Sequence, residues 1–294
     1  MFEDISGQKS VRDEKIKIAH ISDLHITGPN FIPEWGENVI DILNSEMPEI
    51  LIITGDLTDY GYVYEYELAK TYVDRIKVKN KIIVPGNHDA RNEGYIIFEE
   101  IFGTRYPYYE NEKVVILGID STEPDIDDGH VGRENYGLIR EKLSVNNKVR
   151  ILAMHHHLIP IPGTGRERNI PVDAGDVLKT CMELGVNFVL SGHKHLPWTW
   201  RLEDTYLITV GTATSRMLKG RSYPSFNMLE IPACAMPAYR PSGASRHANS
   251  EDKKATLKEV DVANKKFREI LRGFRALKNV ETPLDKGGQN FNLI

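Results

Sequence analysis

Five short groups of potential metal ligands occur along the chain, each directly after a run of apolar residues. In chain order they are Asp23-Leu24-His25, Gly55-Asp56, Gly86-Asn87-His88-Asp89, His155-His156-His157 and Ser191-Gly192-His193-Lys194-His195. Carboxylate, amide and imidazole groups bind divalent and transition metals in proteins. One pair of alternating histidines is weak evidence, because such pairs also occur on solvated strand ends. The recurrence of ligands after five apolar runs predicts a metal site.

The apolar runs before these groups have the length and composition of buried β-strands. They cover residues 16–21, 50–54, 82–84, 149–154 and 188–190. In α/β proteins, ligands bind outside the carboxyl ends of the strands. Five strands that end in ligands would therefore converge on one rim. Since residues i and i+2 of an extended strand point to the same face, we expect His193 and His195 to face the metals together.

The ordered set of groups resembles the calcineurin-like metallophosphoesterases. That family has D-x-H, then G-D, G-N-H-D, a histidine after a strand, and G-H-x-H, and this chain has all five blocks with no ligand position substituted. The resemblance covers roughly Ile16 to Ile231 and is strongest to the class III cyclic-nucleotide phosphodiesterases and their glycerophosphodiesterase relatives. It implies an α/β fold, namely a four-layer α/β/β/α sandwich with two packed mixed sheets flanked by helices.

The resemblance also implies two metal ions that share one bridging carboxylate. The first ion would be bound by Asp23, His25, Asp56 and His195, and the second by Asp56, Asn87, His155 and His193. The implied ions are divalent or transition metals, with manganese or iron expected and zinc as the alternative. Two such ions about 3.5–4 Å apart would generate a hydroxide that attacks phosphorus in line.

His88 is the implied catalytic residue. It would contact the phosphoryl oxygen or the leaving group, as a general acid or an electrostatic stabiliser. Because it directly follows Asn87, we expect it to point away from the metal that Asn87 binds. The alternative role is that of a hydrogen-bonded histidine that closes a turn.

The three consecutive histidines leave one ligand assignment open. The family pattern places the ligand first in a His-His pair after the strand, which selects His155 and makes His156 the alternative. The prolines that usually follow this pair come later here, at Pro160 and Pro162. The shape of this loop is therefore not carried over from the family.

The implied reaction is hydrolysis of a small phosphodiester, such as a cyclic nucleotide. Two divalent ions carry four positive charges, and Asp23, Asp56, one hydroxide and one phosphodiester carry four negative charges, so a singly charged substrate balances the site. The alternatives are a phosphomonoesterase or nucleotidase, a nuclease, and a catalytically silent binding scaffold of the same fold. A silent member would be expected to lose ligands, and none is lost here.

The elements between the ligand groups predict how the sheets form. Helical segments near residues 39–43 and 64–76 alternate with the first three strands, which favours a parallel sheet with helical crossovers. A strand over 114–119 and helices over 134–143 and 174–184 follow. After His195, close-spaced strands over 198–202, 206–210 and 226–231 leave no room for helices and predict an antiparallel sheet.

The segments outside this region are expected to be separate units. Residues 1–14 are polar and predict a mobile arm, 15–231 form the catalytic domain, and 232–253 are rich in Pro, Ala, Ser and Gly and predict a flexible linker. In the C-terminal segment 254–294, apolar spacing over 255–280 predicts an amphipathic helix. The alternative is a strand over Leu257 to Val262. A homo-oligomer through this segment is one way to bury its apolar residues.

Composition predicts a soluble, cytoplasmic protein without membrane association. The chain has 294 residues, 40% hydrophobic and 27% charged, with a net charge of −5. The negative charge disfavours a nucleic-acid partner, which would favour a basic stripe. Cys181 and Cys234 give no disulfide framework. The first residues have no apolar stretch of signal-peptide type, and no apolar run reaches the length of a membrane span.

Overall fold

Two six-stranded mixed sheets form the centre of the molecule. The structure is a computed structural model, and it describes residues 15–164, 169–232 and 254–275. The strands are β1 (Lys15–Ile21), β2 (Ile50–Thr54), β3 (Asn80–Val84), β4 (Tyr108–Glu110), β5 (Val114–Gly118), β6 (Val149–Ala153), β7 (Phe188–Ser191), β8 (Trp198–Leu202), β9 (Thr205–Thr209), β10 (Ser225–Pro232), β11 (Lys254–Asp261) and β12 (Lys266–Arg275). The helices are α1 (Pro33–Glu46), α2 (Val63–Asp74), α3 (Gly94–Phe102), α4 (Arg133–Leu143) and α5 (Ala174–Glu183).

The strand order places the metal-ligand groups at one rim. The first sheet has the order β12-β11-β10-β1-β2-β3, and the second has the order β4-β5-β6-β7-β9-β8. Strands β1, β2 and β3 run parallel to one another, as do β5, β6, β7 and β9. Within each parallel group, the carboxyl ends of the strands lie at the same edge of the sheet.

Three apolar clusters define four layers. One lies between the first sheet and α1 to α3, with Ile21, Val39 and Phe98 among its members. The second lies between the two sheets and includes Ile18 and Ile151. The third lies between the second sheet and α4 and α5. The predicted four-layer sandwich is confirmed. No helix among the described residues is long and apolar enough to cross a membrane.

The prediction of an amphipathic helix over 255–280 is wrong as far as the chain is described. Residues 254–275 form the β11–β12 hairpin, and β11 pairs with β10. Leu257 packs between the sheets, whereas Val260 packs on the helix side of the first sheet. Apolar residues on both faces of two strands produced the helix-like spacing. The alternative strand over Leu257 to Val262 corresponds to most of β11. The predicted mobile arm, and the linker from residue 233 onwards, lie outside the described residues.

The prediction that the strands after His195 form an antiparallel sheet is wrong. Strand β9 pairs in parallel with β7, and only β8 is antiparallel to β9 in that sheet. Strand β10 crosses to the first sheet, where it is antiparallel to β1. Helix α3 and the short strand β4 were not predicted.

Candidate metal centre

All the predicted site residues lie together, in the loops that follow five strands. Asp23 and His25 follow β1, Asp56 follows β2, and Asn87 and His88 follow β3. From the second sheet, His155 follows β6, and His193 and His195 follow β7. The side chains of Asp23, His25, Asp56, Asn87, His155 and His195 are buried. Both sheets therefore contribute to one rim.

The first cluster contains Asp23, His25, Asp56 and His195. Their ligand atoms lie within 4.8 Å of one another. His195 Nε2 lies 3.2 Å from both Asp23 Oδ1 and His25 Nε2. Asp56 Oδ2 lies 3.8 Å from His25 Nε2. Two carboxylates and two imidazoles thus face one small volume.

The hydrogen bonds behind these rings fix the direction of their lone pairs. His25 Nδ1 donates to Asp59 Oδ1 at 2.7 Å, and His195 Nδ1 donates to the carbonyl oxygen of Met217 at 2.8 Å. Carboxylate and carbonyl oxygens only accept, so both Nδ1 atoms carry hydrogen. In the neutral rings, the two Nε2 atoms are then unprotonated acceptors that face each other. Such a contact requires a proton or a cation between them, which fits a metal ion.

The second cluster contains Asp56, Asn87, His155 and His193. His155 Nε2 lies 3.0 Å from Asn87 Oδ1, 3.2 Å from His193 Nδ1 and 3.4 Å from Asp56 Oδ2. His193 Nδ1 lies 2.9 Å from Asn87 Oδ1. His155 Nδ1 donates to the carbonyl oxygen of Thr54 at 2.6 Å, so its Nε2 is also an acceptor in the neutral ring. Asp56 is common to both clusters.

The buried carboxylates favour positive charge on two of the clustered histidines, His155 and His25. Burial alone would lower the pKa of His155, but Asp56 and Asp23 raise it to about 9. Asp59, Asp56 and Asp23 likewise raise the pKa of His25 against the effect of burial. Burial opposes the ionisation of Asp56, yet the nearby histidines hold its pKa well below the usual range. The donor set therefore fits divalent cations.

Several of these residues have an unusual backbone conformation. Asp23, His25, Asp56, His193 and His195 all have positive φ, between 46° and 75°. Non-glycine residues with positive φ are uncommon, and such strain concentrates at functional sites. The expectation that His193 and His195 lie on an extended strand is therefore wrong, because β7 ends at Ser191. His193 joins the second cluster and His195 the first.

Two glycines let the clusters approach each other closely. A Cβ atom at Gly86 would lie 2.2 Å from Asp56 Oδ1, and one at Gly192 would lie 2.6 Å from Asp23 Oδ2. Real Cβ atoms do not approach other atoms so closely. The glycines that precede Asn87 and His193 in the sequence therefore make room for the carboxylates.

The histidine run separates into three environments. His155 lies in the second cluster, as described above. His156 Nδ1 lies 2.9 Å from Ser121 Oγ, and its Nε2 lies 3.2 Å from the carbonyl oxygen of Asp127. His157 is buried, and its Nδ1 has no hydrogen-bond partner among the described residues. Both ring nitrogens of His156 are thus engaged outside the clusters.

His88 lies beside the first cluster. Its Nδ1 donates to the carbonyl oxygen of Asp59 at 2.8 Å, and its ring lies edge-on to the His25 ring with a centroid distance of 4.8 Å. Its side chain is 27% exposed. The backbone amide of His88 donates to Asp56 Oδ1 at 2.9 Å, which helps to hold the shared carboxylate.

Sequence reasoning missed the residues that support the clusters. Asp59 holds His25, and Asp127 Oδ1 accepts from Asn87 Nδ2 at 2.9 Å. Asp89 accepts hydrogen bonds from Gly86, Leu57 and Thr58, which ties the loops after β2 and β3 together. Asp59 follows Asp56 closely in the sequence and could have been noticed. Asp127 lies in an acidic loop far from Asn87, and no sequence signal identifies it.

A comparison with known families identifies a match over most of the chain. The family model described as "Calcineurin-like phosphoesterase" matches residues 16–197. A probable cyclic nucleotide phosphodiesterase from Xenorhabdus bovienii is 25% identical over 202 residues, which are 63% of this chain and 81% of that protein. A second protein of that name, from Coxiella burnetii, is 26% identical over 71% of this chain and 87% of its own. A probable glycerophosphodiester phosphodiesterase from Arcobacter nitrofigilis is 29% identical over 37% and 42% of the two chains.

Solved structures share the fold. A purple acid phosphatase from yellow lupin superimposes with a TM-score of 0.66 over 87% of this chain and 53% of its own, at 14% identity. The inner-membrane-complex anchor protein GAP50 of Plasmodium superimposes with a TM-score of 0.62 over 91% and 90% of the two chains, also at 14% identity.

Proposed function

The chain belongs to the calcineurin-like phosphoesterase family, and on this premise we propose that it is a dinuclear-metal-dependent phosphodiesterase acting on a small diester such as a cyclic nucleotide. The observation that carries the proposal is the pair of four-residue clusters that share Asp56. The names of the related phosphodiesterases support the diester class.

In this proposal the two clusters are the two metal sites. Asp23, His25, Asp56 and His195 would hold the first ion, and Asp56, Asn87, His155 and His193 would hold the second. When bound, two divalent ions neutralise charge on the phosphate and provide a water-derived nucleophile near neutral pH. The mixed oxygen and nitrogen donors suit manganese, iron or zinc. The engagement of both His156 nitrogens elsewhere supports the choice of His155 as ligand.

Charge near the site supports a diester over a monoester. Asp23 and Asp56 supply two negative charges to the centre, and a diester adds one fewer negative charge than a dianionic monoester. Arg91 lies beside the supporting residues, but it is paired with Asp127 at 3.1 Å and donates to the carbonyl oxygen of Asp59. Asp127 therefore balances the charge of Arg91.

His88 is the proposed catalytic side chain. Its Nδ1 hydrogen is committed to the Asp59 carbonyl, so a hydrogen on Nε2 makes the ring a cation. In that form, His88 steadies negative charge on the phosphoryl group or donates a proton to the departing oxygen. The ring is partly exposed beside His25, which leaves it accessible to a substrate.

A substrate panel with metal analysis tests the proposal. The purified protein should contain close to two transition-metal ions, and with manganese it should hydrolyse bis-p-nitrophenyl phosphate and cyclic AMP faster than p-nitrophenyl phosphate. Chelation should abolish activity, and added metal should restore it. Asp56→Asn serves as the control that removes the shared ligand. Protein without bound metal and without activation by manganese, iron or zinc would reject the proposal, and a preference for the monoester would reject the diester class.

A further inference from the structure

A second cavity lies apart from the metal clusters. It has a volume of about 750 Å³ and lies between β8 and β9 of the second sheet and β10 to β12 of the first. Cavities of this size accommodate small organic molecules. Its wall includes Leu196 and Pro197, which directly follow His195, but it contains no residue of either metal cluster. The proposed phosphodiesterase activity does not use it.

The cavity is lined by an excess of positive charge. Three arginines and one glutamate line it, namely Arg201, Arg221, Arg268 and Glu259. Arg201 packs over the Tyr206 ring and lies 3.9 Å from Asp204. No salt bridge involves Arg221 or Arg268 among the described residues, but the Arg268 side chain hydrogen-bonds to the Tyr223 hydroxyl. Glu259 is buried and accepts a hydrogen bond from the Tyr223 hydroxyl. Arg221 and Arg268 thus bring positive charge to the cavity wall that no direct ion pair among the described residues neutralises.

The remaining wall has aromatic and apolar surface with one unmatched polar group. Trp198 and Ile270 line the cavity and are 36% and 39% exposed, which is high for large apolar side chains. Asn227, also in the wall, is 2% exposed, and its Oδ1 is buried with no hydrogen-bond partner among the described residues. A buried amide oxygen without a hydrogen-bond partner costs free energy unless a ligand or water donates to it. The wall thus combines a stacking surface, a site for a donor and a site for an anion.

We propose that this cavity binds an aromatic organic phosphate of the size of a nucleoside monophosphate. The ring system would pack on Trp198 and Ile270, a ring amino group would face Asn227, and the phosphate would be bound by Arg221 and Arg268. Arginine recognises phosphate through paired charge-assisted hydrogen bonds, and nucleobases stack on aromatic side chains. The proposal stands on the cavity itself and does not rest on the phosphodiesterase activity.

The position of the cavity connects it to the metal centre. Arg221 and Ser222 in its wall lie a few residues after Met217, whose carbonyl oxygen accepts from His195 Nδ1. Pro197 and Trp198, also in the wall, come shortly after the same histidine in the sequence. A ligand in the cavity would therefore contact the segment that follows His195 and the segment that follows its hydrogen-bond partner Met217.

A titration of the manganese-loaded protein with AMP tests the proposal. Tryptophan fluorescence and calorimetry should both report saturable binding, and the fluorescence change should be lost in Trp198→Phe. Arg221→Gln and Arg268→Gln should each weaken binding about tenfold, the loss expected for a charge-assisted hydrogen bond. Arg140→Gln, on the far helix α4, is the matched control and should bind like the wild type. Adenosine and inorganic phosphate should each bind more weakly than AMP, because each lacks one half of the ligand.

The variant Asp56→Asn distinguishes AMP binding in the cavity from AMP binding at the metal clusters. This variant should keep the AMP affinity of the cavity, although it loses the shared metal ligand. AMP binding that is lost in Asp56→Asn but unchanged in Arg221→Gln and Arg268→Gln would place the nucleotide at the metals and overturn the proposal. Absence of saturable binding up to about millimolar AMP, which corresponds to about −4 kcal/mol, would also overturn it.

Discussion

Asn87 presents its carbonyl oxygen to the second cluster because Asp127 holds its amide nitrogen. Asp127 Oδ1 accepts from both Asn87 Nδ2 and Arg91 Nη2, and the Asp127 carbonyl faces His156. An asparagine side chain can rotate to exchange its oxygen and nitrogen, and only the oxygen binds a metal. The acidic loop after β5 thus sets the orientation of a ligand supplied by the loop after β3.

We predict that Asp127→Ala weakens the second metal site while leaving the first intact. Loss of a residue that hydrogen-bonds to a metal ligand typically lowers the metal affinity about 10–100-fold. Because Asp127 is 59% exposed on its side chain, we expect a loss near the lower end of that range, about tenfold. Manganese titration by calorimetry measures both sites. Asp128→Ala, at the next position, is the control, and an equal loss in both variants would show a general charge effect of the loop.

His88→Ala separates metal binding from chemistry. The His88 side chain bonds to the Asp59 carbonyl and not to the proposed ligands, so the variant should keep both ions. A positioned general acid contributes about 10²–10⁴-fold, and we expect a loss of that order for an ester with a poor leaving group. With p-nitrophenolate, which departs without a proton, the loss should be smaller. Equal losses of rate on both substrates would reject the general-acid role and leave stabilisation of the phosphoryl group as the role of His88. Loss of metal in the variant would show that His88 has a structural role.

At the residue scale, the sequence predicted which side chains meet but not what holds them. The ligand groups are local patterns after strands, so their order along the chain suffices to find them. Asp127 contacts Asn87 only because two loops fold over each other, and that contact depends on loop conformation. The left-handed backbone of His193 and His195 likewise has no marker in the sequence beyond the preceding Gly192.

The β11–β12 hairpin is the element that extends the first sheet. Leu257 is 1% exposed and packs between the two sheets with residues of β1 and β10. We predict that Leu257→Ala lowers the free energy of unfolding by about 2–5 kcal/mol, as for other buried leucines. Ile270→Ala, at an exposed position of β12, should change it by less than about 0.5 kcal/mol. Denaturant unfolding measures both, and equal effects would mean that the hairpin does not pack as described.

Strands and helices were predictable from the sequence where a single pattern of apolar residues dominated a segment. The strands β1, β2 and β6 lie in the middle of their sheets with buried residues on both faces, and their apolar runs identified them. The hairpin was misassigned because β11 places apolar side chains on both faces and a turn then reverses the chain. The parallel pairing of β7 with β9 could not be predicted, since the short connection between them contains β8, which lies at the edge of the sheet.

At the scale of the whole molecule, the candidate metal centre is built from both sheets. Asp23, His25, Asp56 and Asn87 come from the first sheet, and His155, His193 and His195 come from the second. In the proposed arrangement each ion takes ligands from both sheets. Metal binding should therefore stabilise the association of the two halves of the sandwich.

Chelation should lower the melting temperature for this reason. An ion present at one hundred times its Kd stabilises the folded state by about 2.7 kcal/mol. For a protein of 294 residues, that corresponds to a shift of about 4 °C for each ion. Differential scanning calorimetry with and without chelator measures the shift. Asp56→Asn should show little further change on chelation, and an unchanged melting temperature in the wild type would contradict a link between the sheets.

The pairing of β1 with β10 has a consequence for synthesis on the ribosome. Lys15 pairs with Pro232 and His20 with Asn227, so β1 receives one of its two neighbours only after roughly 200 further residues have been translated. At about 5–20 residues per second, a nascent β1 waits roughly ten to forty seconds for that neighbour. During this interval it presents an open apolar edge, which is prone to non-native pairing. We therefore expect the yield of folded protein to depend on the elongation rate and on chaperones, and not only on the stability of the finished sandwich.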